Sequence, residues 1–259
     1  MEKMNTEQVS DVNAKAERQD GWRETVKTVV YAVLIAMVIR TVAYEPFNIP
    51  SGSMLPTLLI GDYVFVSKFP YGYSRHSLPL SPPLFSGRIN EAPVVRGDIA
   101  VFKLPSDNST DYIKRIIGLP GDRIQVLDGV LHINGGAVKR ERVADFVQPR
   151  GKAGYGRVRQ YRETLPNGRN YLTLDLQPRG AADNTDVYEV PAAHYFAMGD
   201  NRDDSTDSRF LDHVGFIPAE NLVGRADLIF FSVNDSARIW EIWKWPMAIR
   251  FSRIFDGFG

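Results

Sequence analysis

The chain has 259 residues, and its 31 Lys and Arg balance 31 Asp and Glu, so its formal net charge is zero. This balance argues against a general nucleic-acid binder, which needs a basic excess to displace counterions. The absence of cysteine excludes disulfides, cysteine nucleophiles and thiolate metal sites, and the four scattered histidines show no HExxH spacing. We therefore expect neither a metal ion nor a cofactor.

Residues 1–25 are polar and predict a solvated tail. Residues 26–44 (VKTVVYAVLIAMVIRTVAY) are apolar, and their longest uncharged run, 28–39, suits a buried helix or the core of a secretion signal. With its flanks this segment reaches about 28 Å as a helix, which lets Lys27 and Arg40 lie at two interfaces. We predict one transmembrane anchor over 26–44, with an amphipathic core helix as the alternative.

The distribution of positive charge predicts the orientation of this anchor. Four basic residues lie in the 13 positions from Lys15 to Lys27, whereas no Lys or Arg occurs between Arg40 and Lys68. The N-terminus is therefore expected in the cytoplasm, and everything after Tyr44 outside.

Beyond Tyr44 the sequence predicts short β-strands. Three segments begin with Gly-Asp and continue with alternating apolar residues, at Gly61, Gly97 and Gly121. The third runs into Asp128-Gly129, a dipeptide typical of a two-residue hairpin turn. Further strands are predicted at 112–117, 195–198 and 228–233. No long amphipathic helix interrupts them, so the fold class is mainly β with antiparallel strands.

Three stretches depart from this strand pattern. Residues 70–93 are rich in Pro, Ser and Gly and predict a loop, and residues 140–186 are polar and predict a small inserted subdomain. The β core then comprises 45–139 and 187–259. Three of the four tryptophans fall in the C-terminal run 240–245, which fits either a packed terminal helix or an interfacial membrane contact. Both interpretations stay open.

The segment PSGSMLPT (50–57) follows the predicted anchor closely. Serines among Gly and Pro usually serve turns. A catalytic serine also needs a base, because its hydroxyl is a weak nucleophile. No histidine here has an accompanying Asp motif, and the chain has no GxSxG elbow. A lysine can be the base instead, provided that it is neutral.

Lys114 is the candidate for that base. Strand alternation over 112–117 places Lys114 on one face with Tyr112 and Ile116, and Arg115 on the other. Burial between apolar neighbours favours the uncharged form of lysine and lowers its pKa by up to a few units. The alternative is an edge-strand lysine that points into water.

The acidic run MGDNRDDSTDSR (198–209) invites a calcium-loop interpretation. Started at Asp200 or at Asp203, however, the run puts a serine where the calcium loop needs glycine. Alternating Asp and Arg instead predicts an ion-paired loop that is rigid enough to position Ser205.

Taken in order, the segments IPSGSMLPT, GDYVFVSK, YIKRIIGLPGD and GDNRDDSTDSR resemble the bacterial type I signal peptidases, which are membrane-anchored Ser/Lys endoproteases. The resemblance spans roughly residues 44–233. It implies an antiparallel, barrel-like catalytic domain preceded by one transmembrane helix, in the bacterial inner membrane with the catalytic domain on the periplasmic side. It also implies removal of signal peptides from exported preproteins. Asp204 and Thr206 are small departures from the pattern, and only one anchor is visible where some members have two.

The resemblance implies a role for each matched residue. Ser53 matches the nucleophile and Lys114 the general base. Ser51 matches the residue whose hydroxyl forms the oxyanion hole with the N–H of Ser53, and Ser205 the residue that orients the lysine. The matched charged residues that brace the site are Arg115, Asp200, Asp207 and Arg209. The matched residues of shallow apolar substrate pockets are Phe47, Ile49, Met54, Leu58 and Ile113.

The expected partners are the lipid bilayer and signal-peptide-bearing preproteins at its surface. Only eight residues separate Tyr44 from Ser53, and they span at most ~28 Å. The site should therefore lie near the membrane surface, where an extended substrate pairs with an exposed strand edge. Two other functions remain: a self-cleaving repressor-like Ser/Lys protease, which needs an N-terminal DNA-binding module, and a membrane-anchored non-catalytic β scaffold.

Overall fold

The structure is a computed structural model that describes residues 4–79, 81–147, 156–234 and 241–258. Its contacts divide the chain into two units, Met1–Ala43 and Tyr44–Gly259. The first unit is built from one helix, and the second contains the β-strands.

The first unit contains helix α1 (Met4–Val42), which continues through much of the polar region predicted as a tail. Its segment Trp22–Val42 has 21 residues, a mean hydropathy of 1.8 and no buried side chains. A helix of this length and composition is able to cross a membrane. Arg40 lies in the last turn, where a cation complements the free helix carbonyls.

The described part of the second unit contains fifteen strands, and every strand pairing in its sheets is antiparallel, which confirms the predicted mainly β class. The strands are β1 (Tyr44–Asn48), β2 (Asp62–Ser67), β3 (Ile99–Lys103), β4 (Asp111–Gly118), β5 (Arg123–Leu127), β6 (Val130–Ile133), β7 (Gly136–Ala137), β8 (Lys139–Arg142), β9 (Phe146–Val147), β10 (Arg157–Thr164), β11 (Asn170–Asp175), β12 (Tyr188–Glu189), β13 (His194–Met198), β14 (Ile217–Pro218) and β15 (Leu222–Ser232).

The largest sheet has seven strands in the order β1-β2-β15-β3-β4-β13-β14. Two four-stranded sheets accompany it, one formed by β8 to β11 and the other by β12, β5, β6 and β7. The predicted hairpin joins β5 to β6, and Asp128 and Gly129 both have positive φ, at 48° and 74°. This is the backbone that a two-residue hairpin turn requires.

The strands of the large sheet bury a hydrophobic cluster beside the segment that carries Ser53. Val64 and Val66 of β2 and Ile99 of β3 contribute to this cluster. Met54 and Leu58, which follow Ser53 in the chain, lie in the same cluster and are fully buried. Burying two large side chains on either side of a short turn fixes the path of the backbone between them.

Residues 70–93 form the predicted loop with one 3-10 turn, Arg75–Ser77, and the structure describes all of it except residue 80. Lys68 holds this turn to β1, because its Nζ lies 2.6 Å from the Ser77 carbonyl and 3.0 Å from Glu45 Oε2. Lys68 is only 1% exposed. A buried lysine of this kind needs both partners to offset the loss of its hydration.

The C-terminal residues form a short helix, α2 (Trp245–Ala248), between two 3-10 turns, Ile242–Lys244 and Phe251–Arg253. Several large apolar side chains of this region are exposed, namely Trp243, Met247, Phe251 and Phe255. Trp240 lies outside the described residues. Arg250 and Arg253 attach the region to Asp62, with Nη2–Oδ distances of 3.5 and 2.6 Å.

Candidate active site

The structure brings Ser53 and Lys114 together, although 61 positions separate them in the chain. Ser53 lies in the turn after β1, and Lys114 lies on β4, an interior strand between β3 and β13. Lys114 Nζ donates to Ser53 Oγ at 2.8 Å and to the Ile113 carbonyl at 3.0 Å. Lys114 is 4% exposed and Ser53 is 8% exposed. The alternative of an edge-strand lysine in water is therefore wrong.

The surroundings of Lys114 lower its pKa. Burial lowers the pKa of Lys114 from 10.5 to about 8, because the charged ammonium loses its hydration. The carboxylates of Asp207, Asp200 and Asp204 oppose this effect and keep the pKa of Lys114 from falling further. With such a pKa, roughly a tenth of the lysine is neutral at pH 7 and most of it is neutral above pH 8. Only the neutral amine can accept a proton.

Ser51 lies on the same side of the turn as Ser53, and their hydroxyl oxygens are 3.4 Å apart. Within the ranges that the structure describes, the N–H of Ser53 donates no hydrogen bond. A hydroxyl close to the Ser53 hydroxyl and a free backbone N–H on Ser53 itself are both groups that can donate to a developing oxyanion.

Ser205 is buried, and its hydroxyl has no hydrogen-bond partner among the described residues. The structure thus shows no hydrogen bond from Ser205 to Lys114. Ser205 packs closely on Gly199: a Cβ on that glycine would collide with the Ser205 hydroxyl and lie 2.5 Å from the Ser53 carbonyl oxygen. Glycine at position 199 therefore lets the acidic loop approach the Ser53 turn.

Two buried ion pairs brace the acidic loop, and they involve all four residues to which the family resemblance gave this role. Arg115 donates to the Asp200 carboxylate through Nε and Nη2, at 2.8 and 2.7 Å. Arg209 binds Asp207 at 2.8 Å through each of Nε and Nη2. Burial alone would raise the pKa of Asp207, but the Arg209 guanidinium and the Gly199 N–H together hold that pKa below its usual value.

A third buried ion pair, which sequence analysis missed, connects this loop to β10 and β11. Arg202 binds Glu163 with both terminal nitrogens, at 2.9 and 2.6 Å, and the Tyr171 hydroxyl donates to Glu163 at 2.7 Å. The guanidinium of Arg115 lies 4.4 Å from the centre of the Tyr171 ring. Strands of the region predicted as an inserted subdomain therefore supply buried partners to the site. No local signal marks Glu163, because its partner is 39 positions away.

Two further residues that connect the Ser53 segment with the acidic loop escaped the sequence analysis. Thr57 donates to Asp200 at 2.5 Å, and Asn201 donates to the carbonyls of both Gly52 and Ser53. Asn201 belongs to the acidic motif, but an uncharged amide among charged neighbours carries no pattern that predicts a contact.

A groove of about 470 Å³ opens beside Ser53 and Lys114. Its apolar wall includes Phe47, Ile49 and Ile113. Met54 and Leu58, which the resemblance also assigned to pockets, lie in the core beneath the groove and do not line it. The remaining lining residues are Asn48, Pro50, Ser51, Val101, Asp111, Tyr112, Asp204 and Thr206. Among the described residues, no cluster of three His, Cys, Asp or Glu could hold a metal ion.

Comparison with known proteins places the chain in a family. Residues 22–231 match the model of the family described as signal peptidase, peptidase S26. The chain is 42% identical over 246 residues to signal peptidase I of Rickettsia canadensis, covering 88% of this chain and 91% of the relative. It is 39% identical over 269 residues to signal peptidase I of Rickettsia akari, with 97% of each chain covered.

A crystal structure of a signal peptidase I from Enterococcus faecalis also matches, at 25% identity and a TM-score of 0.29, with 51% of this chain and 96% of that chain covered.

The chain therefore belongs to the signal peptidase family, peptidase S26. Relatives of this identity, matched over most of both chains, share their activity as well as their fold. The protein is accordingly a signal peptidase, a serine protease that removes signal peptides. The non-catalytic scaffold and the repressor-like protease that the sequence left open are wrong.

Proposed function

We propose that Ser53 and Lys114 are the catalytic dyad of this signal peptidase. The observation that carries the proposal is the 2.8 Å contact between Lys114 Nζ and Ser53 Oγ, made by two buried side chains at the edge of the groove. The lowered pKa of Lys114, about 8, supports it, because the lysine must be neutral to act.

The reaction follows from this geometry. Neutral Lys114 takes the proton of the Ser53 hydroxyl while Ser53 Oγ attacks the carbonyl carbon of the scissile bond. The ammonium of Lys114 then gives a proton to the leaving amine, the C–N bond breaks, and the signal peptide stays as an ester on Ser53. Water attacks the ester, Lys114 accepts its proton, and Ser53 leaves with a proton returned from Lys114.

Two groups are proposed to stabilise the negative oxygen of the tetrahedral intermediates, namely the Ser51 hydroxyl and the N–H of Ser53. Their support is the 3.4 Å spacing of the Ser51 and Ser53 hydroxyl oxygens and the free N–H. The buried hydroxyl of Ser205 is proposed to orient Lys114 during the reaction, as the family resemblance implies. Arg115 with Asp200 and Arg209 with Asp207 hold the loop that carries Ser205.

The groove is proposed to bind the residues that precede the scissile bond. Phe47, Ile49 and Ile113 form its apolar wall, and Met54 and Leu58 support the wall from the core. The family resemblance implies that shallow apolar pockets of this kind admit small side chains only. This selectivity fits cleavage sites of the Ala-X-Ala type. An extended substrate would add to the exposed backbone edge of β1, which is an outer strand of the large sheet.

The protein is proposed to be anchored in the bacterial inner membrane by α1, with residues 1–25 in the cytoplasm and the catalytic unit on the periplasmic side. The exposed apolar segment Trp22–Val42 and the basic residues that precede it support this placement. The lipid bilayer and membrane-bound preproteins are then its partners. Tethering both to one bilayer raises their effective concentration, which compensates for a shallow, weakly selective pocket.

The test uses the full-length protein in detergent and a preprotein with an Ala-X-Ala cleavage site. Wild type should cleave after the second Ala, and Ser53→Ala and Lys114→Ala should each be inactive while they keep the β circular dichroism spectrum. Ser67→Ala is the matched control, since it removes another buried serine hydroxyl, one bonded only weakly to the Arg225 carbonyl at 3.4 Å. Turnover in Ser53→Ala or Lys114→Ala would refute the dyad.

A further inference from the structure

Asn201 makes two hydrogen bonds to the turn that carries Ser53. Its backbone N–H donates to the Ser53 carbonyl at 3.1 Å, and its side-chain Nδ2 donates to the Gly52 carbonyl at 3.0 Å. The side chain is fully buried, and 149 positions separate it from Gly52. Two successive carbonyls of the turn are thus held by one residue of the acidic loop.

The hydrogen bond from Asn201 to the Gly52 carbonyl also sets the direction of the Ser53 N–H. The C=O of Gly52 and the N–H of Ser53 belong to one planar peptide unit, in which they point in opposite directions. A donor that holds the Gly52 carbonyl on one side therefore aims the Ser53 N–H at the other. In the described part of the chain this N–H is not used by any protein acceptor.

We propose that Asn201 is a positioning residue for the oxyanion hole: its side-chain amide fixes the Gly52–Ser53 peptide plane so that the Ser53 N–H faces the tetrahedral oxyanion. The inference rests on the proposed function, in which Ser53 is the nucleophile and its N–H is an oxyanion donor. Asn201 itself touches neither the substrate nor the reacting atoms.

A purely structural role does not account for this side chain. The Gly52 carbonyl already accepts the N–H of Leu55 at 3.1 Å, so the amide of Asn201 is not needed to satisfy it. At the same time Asn201 Oδ1 is buried without a hydrogen-bond partner among the described residues, which costs stability. The hydrogen bond that Nδ2 donates to the Gly52 carbonyl therefore comes with a buried Oδ1 that accepts no hydrogen bond among the described residues.

The neighbours of Asn201 make its amide a rigid support. Asp200 is bound by Arg115 with two hydrogen bonds, and Arg202 binds Glu163 with two. Because both flanking residues are fixed by buried ion pairs, Asn201 cannot follow a peptide plane that rotates. Preorganisation of this kind keeps an oxyanion donor aligned without reorganisation during the reaction.

The experiment compares Asn201→Ala with Asn221→Ala in the full-length protein in detergent. Asn221 is the matched control: it is equally buried, and its Nδ2 donates to the Lys103 carbonyl and to Asn108 Oδ1, each at 2.9 Å, at the far end of β3. For both variants the measurements are kcat and KM for a preprotein and the affinity for a peptide boronate, which forms a tetrahedral adduct with an active serine.

Removal of one oxyanion donor lowers kcat by about 10²–10³-fold. In Asn201→Ala the Ser53 N–H is still present but misaligned, so kcat should fall less, by roughly 10–100-fold. In Asn201→Ala we expect this fall in kcat, a KM within about twofold of wild type, and a parallel fall in boronate affinity. The acid limb of the pH profile should keep its midpoint, because Lys114 is untouched. Asn221→Ala should keep kcat and boronate affinity within about twofold.

A kcat of Asn201→Ala within twofold of wild type would overturn the inference. A lower kcat with unchanged boronate affinity would also overturn it, because binding of the tetrahedral adduct would then be intact. Equal losses in Asn221→Ala would overturn it as well, because they indicate general destabilisation. If Asn201→Ala does not fold, Asn201→Ser takes its place under the same criteria. Activity in Ser53→Ala would refute the proposed function; a strict need for Ser53 together with a fully active Asn201→Ala would overturn only the role of Asn201.

Discussion

Replacing Lys114 by methionine should inactivate the protein and, at neutral pH, stabilise it. Burial lowers the pKa of Lys114 from 10.5 to about 8 in the folded state. At 1.36 kcal/mol per unit, the folded protein loses about 3 kcal/mol by keeping this lysine charged. Methionine is similar in length and carries no charge, but it gives up the hydrogen bond to Ser53, which contributes about 1 kcal/mol. The expected net gain at pH 7 is about 2 kcal/mol.

The gain depends on pH in a defined direction. Below pH 8 Lys114 is protonated in both the folded and the unfolded state, so the full cost of burying the charge is present. Between pH 8 and 10.5 the unfolded state binds more protons than the folded state, and the free energy of unfolding of the wild type therefore rises with pH. Above pH 10.5 the cost has gone, and Lys114→Met should be the less stable protein by about 1 kcal/mol.

The assay is thermal unfolding of the full-length proteins in detergent, followed by circular dichroism from pH 6 to 11. A gain of 2 kcal/mol corresponds to a rise in Tm of roughly 4–8 °C for a domain of this size. Lys68→Met is the matched control, because Lys68 is also buried but is paired with Glu45 at 3.0 Å. That variant should melt lower, as the loss of a buried partner costs about 3–5 kcal/mol.

A Lys114→Met protein that melts below wild type at pH 7 would refute this reasoning. A difference in Tm that does not change with pH would also refute it, because the cause would then be packing and not the charge.

Three further predictions follow from the site and the sheet. The kcat/KM of the wild type should rise about tenfold per pH unit below pH 8 and level off above it, since only neutral Lys114 accepts a proton; a flat profile from pH 6 to 9 would contradict this. Asp204→Asn should move that midpoint to lower pH by a few tenths of a unit, because this exposed carboxylate raises the pKa of Lys114; a shift to higher pH would contradict it. Gly224→Ala should lower Tm by an amount equivalent to about 1–3 kcal/mol, as its Cβ would collide with the Ser67 carbonyl of β2, and an unchanged Tm would show that β15 can move.

The sequence was sufficient where the determining features are local. Alternation over short segments and the Asp128-Gly129 turn predict antiparallel strands, and the structure confirms both the class and the hairpin. Four ordered motifs identify the family, which the relatives confirm. The pairing of Lys114 with Ser53 followed from the resemblance, whereas the alternation of residues on β4 left open whether Lys114 faces the core or water.

The sequence could not predict which charged residues pair across long distances in the chain. Glu163 and Tyr171 lie in a segment that appears only polar, yet they are the buried partners of Arg202. The composition of a segment reports its average exposure, and a few buried charges among exposed ones do not alter it. Met54 and Leu58 show the same limit, because an apolar residue close to Ser53 in the sequence fits a pocket and a core equally well.

The order of the strands has a consequence for the synthesis of the protein. Strand β15 (Leu222–Ser232) lies between β2 and β3 in the large sheet. The two halves of this sheet therefore cannot pair until almost the whole chain has been synthesised. Asn201, which holds the Ser53 turn, and the acidic loop are also made late. A nascent or prematurely terminated chain therefore carries Ser53 without the strand and the loop that surround it in the folded protein.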